Sequence, residues 1–167
     1  MTAGQGVRAR VITVSDEVAG GTDADRSGPV ALELLAGLGF DTSTTVVPDD
    51  PDAIRAAVRD AIGEHARVVL ACGGTGIGPR DHTPEAIRGL LSLEIPGIAE
   101  EIRRRGIAHT PQALVSRPVA GAVLGQGHPP VLVLAVPGSR GGVRDALDVV
   151  GAQLGYIIDQ LDGAGHA

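Results

Sequence analysis

A glycine-rich loop carries residues that could bind and transfer phosphate groups. Glycine occupies four of the six positions in 73–78, and Arg80 and Asp81 follow almost at once. Backbone N–H groups without side-chain cover can converge on a phosphate. Arg80 adds a cation for phosphate oxygens, and Asp81 adds the hard carboxylate oxygens that Mg²⁺ prefers. The spacing favours a phosphate site, although a glycine-rich turn before a capped helix is the open alternative.

Other candidate residues follow other predicted strands. Ser15 and Asp16 come after the first strand, Asp49 after the second, and Pro137-Gly138-Ser139 after the last. In open α/β sheets, ligands bind beyond the carboxyl ends of the parallel strands. We therefore expect these residues and the glycine loop to share one edge of the sheet.

Two helix starts bear on the candidate set. Asp50 before Pro51 is typical of a helix N-cap, which leaves the neighbouring Asp49 available for chemistry. Ser27 and Gly28 begin another predicted helix, where they could serve as an ordinary cap, as an anion site, or as both. Thr83 before Pro84 likewise predicts a cap.

The hydrophobic pattern predicts five strands and five helices that largely alternate. The strands are expected at 7–15, 40–47, 67–72, 119–124 and 131–136, and the helices at 27–38, 51–63, 84–91, 96–105 and 143–161. The last two strands flank a turn-rich segment and predict a hairpin. This order predicts a three-layer α/β/α fold with a mostly parallel sheet and one antiparallel strand. The length of 167 residues predicts one domain, 1–167, with its core at about 7–161.

Composition excludes several classes of function. The chain contains no lysine, so it has neither a Walker-type phosphate loop nor a Schiff-base lysine. A net charge of −6 and only two aromatic residues, Phe40 and Tyr156, argue against nucleic-acid binding. The single cysteine, Cys72, ends an apolar run and is expected to be a buried hydrophobic residue. No apolar run has the length of a membrane span, and we expect a cytoplasmic protein without membrane partners.

The motifs and their order resemble the molybdopterin-binding domain of the MogA/MoaB family of molybdenum cofactor biosynthesis. The resemblance runs from about Arg8 to Leu161 and is carried by GGTGIGPRDHTPEAI at 73–87 together with four shorter motifs. Those four are Val14-Ser15-Asp16, Ser27-Gly28-Pro29, Pro48-Asp49 and Pro137-Gly138-Ser139.

The resemblance implies an enzyme: a molybdopterin adenylyltransferase that uses ATP, Mg²⁺ and molybdopterin and releases pyrophosphate. Asp49 and Asp81 match the family's two functional aspartates, which act through the metal and the polyphosphate. The residues implied in binding the pterin or phosphates are Ser15, Asp16, Ser27, Gly28, Gly73, Gly74, Thr75, Gly76, Arg80, Pro137, Gly138 and Ser139.

The resemblance further implies a homotrimer and a molybdenum insertase acting downstream. Two alternatives stay open from the sequence. The chain could bind or carry molybdopterin without catalysis, as some relatives do, or it could transfer nucleotidyl or phosphoryl groups to another pterin or nucleotide. The presence of both aspartates favours the adenylyltransferase.

Overall fold

The computed structural model describes residues 5–125 and 127–164. Its strands are β1 (Arg8–Val14), β2 (Asp41–Val47), β3 (Ala66–Cys72), β4 (Leu93–Glu94), β5 (Val119–Val123) and β6 (Val131–Val136). Its α-helices are α1 (Asp16–Ala19), α2 (Ser27–Gly37), α3 (Pro51–Gly63), α4 (Thr83–Arg88), α5 (Pro96–His109), α6 (Arg140–Val150) and α7 (Leu154–Leu161). Short 3₁₀ turns at Pro111–Val115 and Gly151–Gln153 complete the described elements.

The six strands form one sheet in the order β2-β1-β3-β6-β5-β4. Strands β2, β1, β3 and β6 are parallel, while β5 runs antiparallel to both β6 and β4. The predicted mostly parallel sheet with a β5–β6 hairpin is therefore confirmed. The sequence pattern did not predict β4, which has two exposed residues and so lacks an apolar alternation.

Alternating side chains of the central strands bury the two faces of the sheet. In β3, Val68, Leu70 and Cys72 pack with α2, α5, α6 and α7, while Val69 and Ala71 pack with α3 and α4. Strand β6 alternates in the same way and is buried along its whole length. This arrangement confirms the predicted three layers and explains why both strands consist almost wholly of aliphatic residues.

Several element boundaries differ from the predicted ones. The final helix starts at Arg140 rather than 143, because the Ser139 hydroxyl accepts a hydrogen bond from the Gly142 N–H at 2.9 Å. It is also interrupted at Gly151, where the chain packs against the Leu38 side chain and glycine weakens the helix. Helix α5 continues to His109, beyond the predicted end at 105.

Two predicted caps are wrong, and one short helix was not predicted. Helix α4 begins at Thr83 itself, without a side-chain cap from the preceding residue, and helix α2 is capped by Asp25 instead of Ser27. The four-residue α1 lies in a segment expected to be a loop. It forms there with the Ser15 hydroxyl as its N-cap, which accepts a hydrogen bond from the Val18 N–H. None of the described helices combines the length and apolar character needed to cross a membrane.

Candidate functional site at the carboxyl edge of the sheet

The carboxyl ends of the four parallel strands lie side by side. Val14 of β1 pairs with Val47 of β2, and Cys72 of β3 pairs with both Thr13 and Val136. The segments that leave these strands therefore start from one edge. They contain the predicted site residues around Asp16, Asp49, the glycine loop and Ser139.

The amino end of β5 reaches the same edge because β5 is antiparallel. Val119 pairs with Ala135, one residue from the end of β6. Ser116 and Arg117, which precede β5, consequently lie beside the glycine loop. This contact brings a fifth chain segment to the candidate site.

The glycine loop presents a run of unpaired N–H groups. Within residues 5–125 and 127–164, the N–H groups of Gly74, Thr75, Gly76 and Ile77 donate no hydrogen bond to a protein atom. The loop is held at its ends, where Gly73 N–H donates to the Val136 carbonyl at 3.0 Å and Thr83 N–H donates to the Gly74 carbonyl at 3.2 Å. Four successive free donors on a loop between a strand and a helix can bind phosphate oxygens.

Positive φ angles explain two of the glycines. Gly73 has φ +112° and Gly74 has φ +64°, conformations that side chains other than glycine rarely adopt. A Cβ atom on Gly74 would also lie 2.7 Å from Asp49 Oδ1 and would clash with the Thr83 hydroxyl. Gly74 thus allows the Asp49 carboxylate to approach the loop backbone.

Asp16 and Asp49 join the ends of β1 and β2 to each other. Asp49 N–H donates to Asp16 Oδ1 at 3.0 Å, and Asp16 N–H donates to Asp49 Oδ2 at 3.3 Å. Arg80 closes the group from the glycine-loop side by donating two hydrogen bonds to the Asp16 carboxylate, at 2.9 and 3.0 Å. The structure therefore pairs the predicted phosphate cation with a rim carboxylate.

Asp81 contacts the later residues of the glycine loop. Its Oδ2 accepts a hydrogen bond from Gly78 N–H at 2.8 Å and would be 2.7 Å from a Cβ atom on Gly76. Asp49 and Asp81 are close enough for the Asp81 charge to raise the pKa of Asp49. The two predicted aspartates thus approach the same loop from opposite ends.

The two carboxylates of the β1–β2 edge titrate differently. Burial is the largest influence on Asp49 and raises its pKa, with the charges of Asp16 and Asp81 acting in the same direction. The hydrogen bonds from Arg80 lower the pKa of the exposed Asp16 carboxyl. The protein therefore compensates the charge of Asp49 less fully than that of Asp16.

The oxygen atoms around Gly74 suit a hard divalent cation such as Mg²⁺. Asp49 Oδ1 and Thr83 Oγ1 are buried without a hydrogen-bond partner among the described atoms, and both face Gly74. No group of three or more His, Cys, Asp or Glu side chains in the described part of the chain forms a ready metal cluster. Mg²⁺ commonly takes only one or two carboxylates and completes its shell with water and substrate phosphates, so this donor set fits it.

The remaining predicted residues lie around this centre. Ser15 and Ser139 use their hydroxyls as helix N-caps, and Ser27 is buried at the start of α2. Gly28 N–H donates to Asp25 Oδ1 at 2.9 Å and is therefore not a free anion donor. Pro137 follows β6 directly. Gly138 lies so close to the Gly73 backbone that a Cβ atom on Gly138 would be 2.9 Å from the Gly73 Cα.

Two cavities open on either side of Gly138 and Ser139. The larger, about 650 Å³, lies between the glycine loop, α5 and α6 and is reached by Thr75, Gly76 and Ser116. The smaller, about 300 Å³, lies between β1 and α2 and is lined by Ser15, Ser27 and Arg140 among others. The larger cavity has room for a bicyclic ring system with a short substituent.

Three residues of this edge were not among the predicted site residues. They are Asp25, Thr83 and Arg117. Asp25 accepts hydrogen bonds from the Thr13 hydroxyl and from the Gly28 N–H. The predicted hairpin already implied that the segment before β5 ends at this edge, so Arg117 could have been placed there. No sequence signal distinguished Asp25 from the other acidic residues of its polar loop.

Most of the chain matches one protein family. Residues 10–155 match the family described as "probable molybdopterin binding domain". The chain belongs to this family. The resemblance to the MogA/MoaB proteins of molybdenum cofactor biosynthesis is thereby confirmed at the level of the family.

Individual molybdopterin-binding-domain relatives show the same likeness. A "molybdenum cofactor biosynthesis bifunctional protein" of Synechococcus elongatus is 40% identical over 96% of this chain, which spans only 49% of that protein. A "molybdopterin adenylyltransferase" of Pyrococcus furiosus is 37% identical over 89% of this chain and 87% of the relative. The solved structure of the tungsten cofactor synthesizing protein MoaB from Pyrococcus furiosus superposes with a TM-score of 0.86 at 34% identity, covering 93% of this chain and 96% of that one.

Proposed function

We propose that this chain is a molybdopterin adenylyltransferase. The observation that supports the proposal is the juxtaposition of four free N–H groups, at 74–77, with the unpartnered carboxylate oxygen of Asp49. The free donors suit the phosphates of ATP, and the carboxylate oxygen without a hydrogen-bond partner suits Mg²⁺. The relative named molybdopterin adenylyltransferase supports the same reaction.

The proposed reaction is a displacement at phosphorus. An oxygen of the terminal phosphate of molybdopterin attacks the α-phosphorus of ATP, and the bond between that phosphorus and the α,β-bridging oxygen breaks. The products are adenylylated molybdopterin and pyrophosphate. Such a transfer depends mainly on alignment and charge neutralisation, which this edge can provide without a protein nucleophile.

Each side chain then has a defined part in the proposal. Asp49 and Asp81 would hold Mg²⁺. When bound there, the ion would supply positive charge that neutralises the polyphosphate. The glycine-loop N–H groups bind phosphate oxygens. Arg80 exchanges its Asp16 partner for a phosphate or bridges the two. The pterin occupies the cavity of about 650 Å³, with Ser139 at its edge.

The test is direct. The protein is incubated with molybdopterin, ATP and Mg²⁺, and pyrophosphate and adenylylated pterin are measured. We expect both products in equal amounts and their loss when Mg²⁺ is chelated. Pterin binding without pyrophosphate release would instead support the alternative of a non-catalytic carrier, and pyrophosphate formed with a different acceptor would identify a different transferase.

The family also underlies further proposals about the whole protein. We propose one molybdopterin-binding domain over 1–167 with its core at about 7–161, a cytoplasmic homotrimer and a molybdenum insertase downstream. Light scattering of the purified chain tests the trimer. Copurification with the chain tests the insertase as a partner.

A further inference from the structure

Arg117 contacts the glycine loop at several points from outside it. Its backbone N–H donates to the Thr75 carbonyl at 2.8 Å, and its Nε donates to the Gly76 carbonyl at 2.8 Å. One terminal nitrogen, Nη2, donates to the Asp81 carbonyl at 3.1 Å. The other, Nη1, forms an ion pair with Glu85 on α4.

These contacts fix the direction of the free N–H groups. In a planar trans peptide, the carbonyl of one residue and the N–H of the next point in opposite directions. Holding the Thr75 carbonyl therefore orients Gly76 N–H, and holding the Gly76 carbonyl orients Ile77 N–H away from Arg117. Both N–H groups belong to the free set at 74–77.

Arg117 differs from Arg80 in how its guanidinium is used. All three nitrogens of the Arg117 guanidinium are bonded to protein acceptors, two carbonyls and a carboxylate. Arg80 is more exposed and pairs with a single carboxylate at the rim. Arg117 is thus built to hold protein groups, whereas Arg80 can reach a ligand.

We propose that Arg117 is a positioning residue that holds the glycine loop in its anion-binding conformation. It does so from the amino end of an antiparallel strand, which only the β5–β6 hairpin brings to this edge. Its hydrogen bond to the Asp81 carbonyl also fixes the backbone at Asp81, the second of the two proposed catalytic aspartates. The effect of Arg117 on phosphate affinity depends only on the conformation of the glycine loop. Its effect on turnover rests on the proposed adenylyl transfer.

The variants Arg117→Gln and Arg117→Lys test this role. Gln removes the fork and the charge, while Lys keeps the charge but cannot hold the Gly76 and Asp81 carbonyls with a planar fork. Both variants keep the backbone bond to Thr75, so the amide signal of Ile77 is expected to move more than that of Gly76. Arg67→Gln is the matched control, since Arg67 also donates to a carbonyl (Pro130, 2.9 Å) and a carboxylate (Asp162, 2.5 Å), but at the opposite edge.

The primary measurement is titration of ¹⁵N-labelled protein with magnesium pyrophosphate, followed through the loop amides. We expect Arg117→Gln to weaken pyrophosphate binding about tenfold or more, Arg117→Lys to be intermediate, and Arg67→Gln to bind like wild type even if it is less stable. In the adenylylation assay, kcat should fall about 10²-fold for Arg117→Gln, with the KM for molybdopterin little changed.

The outcomes separate this inference from the proposed function. Wild type that binds pyrophosphate at the loop but transfers no adenylyl group removes the proposed function, and weaker binding by the Arg117 variants would still support the positioning role. Unchanged Ile77 signals and unchanged pyrophosphate affinity in Arg117→Lys and Arg117→Gln would overturn it. So would a wild-type loop that binds no pyrophosphate. If Arg117→Gln does not fold, Arg117→Lys decides the question.

Discussion

Asp16 and Asp49 each donate a backbone N–H to the carboxylate of the other, at 3.3 and 3.0 Å. The pair ties the exits of β1 and β2 together and occupies one oxygen of each carboxylate with a backbone donor. Arg80 engages the Asp16 carboxylate, whereas Asp49 Oδ1 lies against the glycine loop without a partner. The two neighbouring aspartates thus differ: both oxygens of Asp16 have protein partners, whereas Asp49 keeps one buried oxygen without a partner.

The first prediction concerns the two proposed catalytic aspartates. Asp49→Asn and Asp81→Asn keep the size of each side chain, and an amide oxygen can still accept the N–H bonds from Asp16 and Gly78. Each should lower the rate of adenylyl transfer by about 10²-fold or more, because the proposed Mg²⁺ loses the negative charge of a carboxylate ligand and is held less firmly against the polyphosphate. Pterin binding, measured by calorimetry, should stay close to that of wild type.

Asp52→Asn is the control for these variants. Asp52 lies in the first turn of α3, close in sequence to Asp49, and among residues 5–125 and 127–164 its exposed carboxylate pairs with Arg55 alone. It should leave transfer within about twofold of wild type, since isolated exposed ion pairs contribute little. Equal rates in wild type, Asp49→Asn and Asp81→Asn would contradict the proposed roles.

The second prediction is a pH dependence of stability that comes from Asp49. Its folded pKa is raised by burial above the ordinary aspartate value of about 3.9. When the pKa of a carboxyl group is higher in the folded than in the unfolded protein, its protonated form stabilises the fold. This contribution is fully present at a pH below the unfolded pKa and is lost as the pH rises through the folded pKa. At pH 7 the ionised Asp49 therefore destabilises the fold, and Asp49→Asn should melt at a higher temperature than wild type.

The comparison should be made across pH 4 to 8 by scanning calorimetry. The advantage of Asp49→Asn over wild type should shrink as the pH falls toward the raised pKa of Asp49, because the carboxyl group then takes up a proton. Asp16 has the opposite shift, because Arg80 lowers its pKa, so Asp16→Asn should show no such gain at pH 7. An Asp49→Asn variant less stable than wild type at pH 7 would show that its charge is compensated by the protein.

The sequence predicted the arrangement of this edge better than its details. Apolar runs such as β3 and β6 are buried on both faces, so their length and composition identified them, and the parallel topology brought Asp49 to the glycine loop. Strand ends are set by the sheet, and the sheet follows from the alternation of strands and helices. The family resemblance then indicated which of the residues at the edge to examine.

Local hydrogen bonding decided what the sequence could not. Ser27 and Asp25 are both typical N-cap residues two positions apart, and only the structure shows that Asp25 takes the Gly28 N–H. The pairing of Arg80 with Asp16 joins residues 64 positions apart and has no sequence signal. Gly151, where the helix is interrupted, lies close to the Leu38 side chain, and periodicity within one helix cannot reveal such a contact.

The third prediction uses the glycine loop itself. A Cβ atom on Gly76 would lie 2.7 Å from Asp81 Oδ2, although Gly76 does not have a positive φ. Gly76→Ala should therefore displace the Asp81 carboxylate without straining the backbone, and should lower transfer about 10²-fold. Thermal melting and the kinetic assay together check this expectation.

Gly97→Ala is the matched control for the loop variant. Gly97 lies in α5, where a Cβ atom would meet nothing within 4 Å. This change should leave transfer unaffected and should not lower stability, because alanine is at least as good a helix former as glycine near the start of a helix. Normal transfer by Gly76→Ala would show that the position of the Asp81 carboxylate is unimportant for the reaction.

The fourth prediction concerns Cys72, whose thiol lies at the end of β3 near the proposed site. Its side chain is buried, and burial raises the pKa of the thiol, with the charge of Asp25 adding to the effect. Native protein should therefore react with iodoacetamide far more slowly than protein unfolded in urea. Cys72→Ala should keep transfer within about twofold of wild type while losing about 1 kcal/mol of stability. Rapid alkylation of the native chain with loss of transfer would instead make this thiol an accessible part of the site.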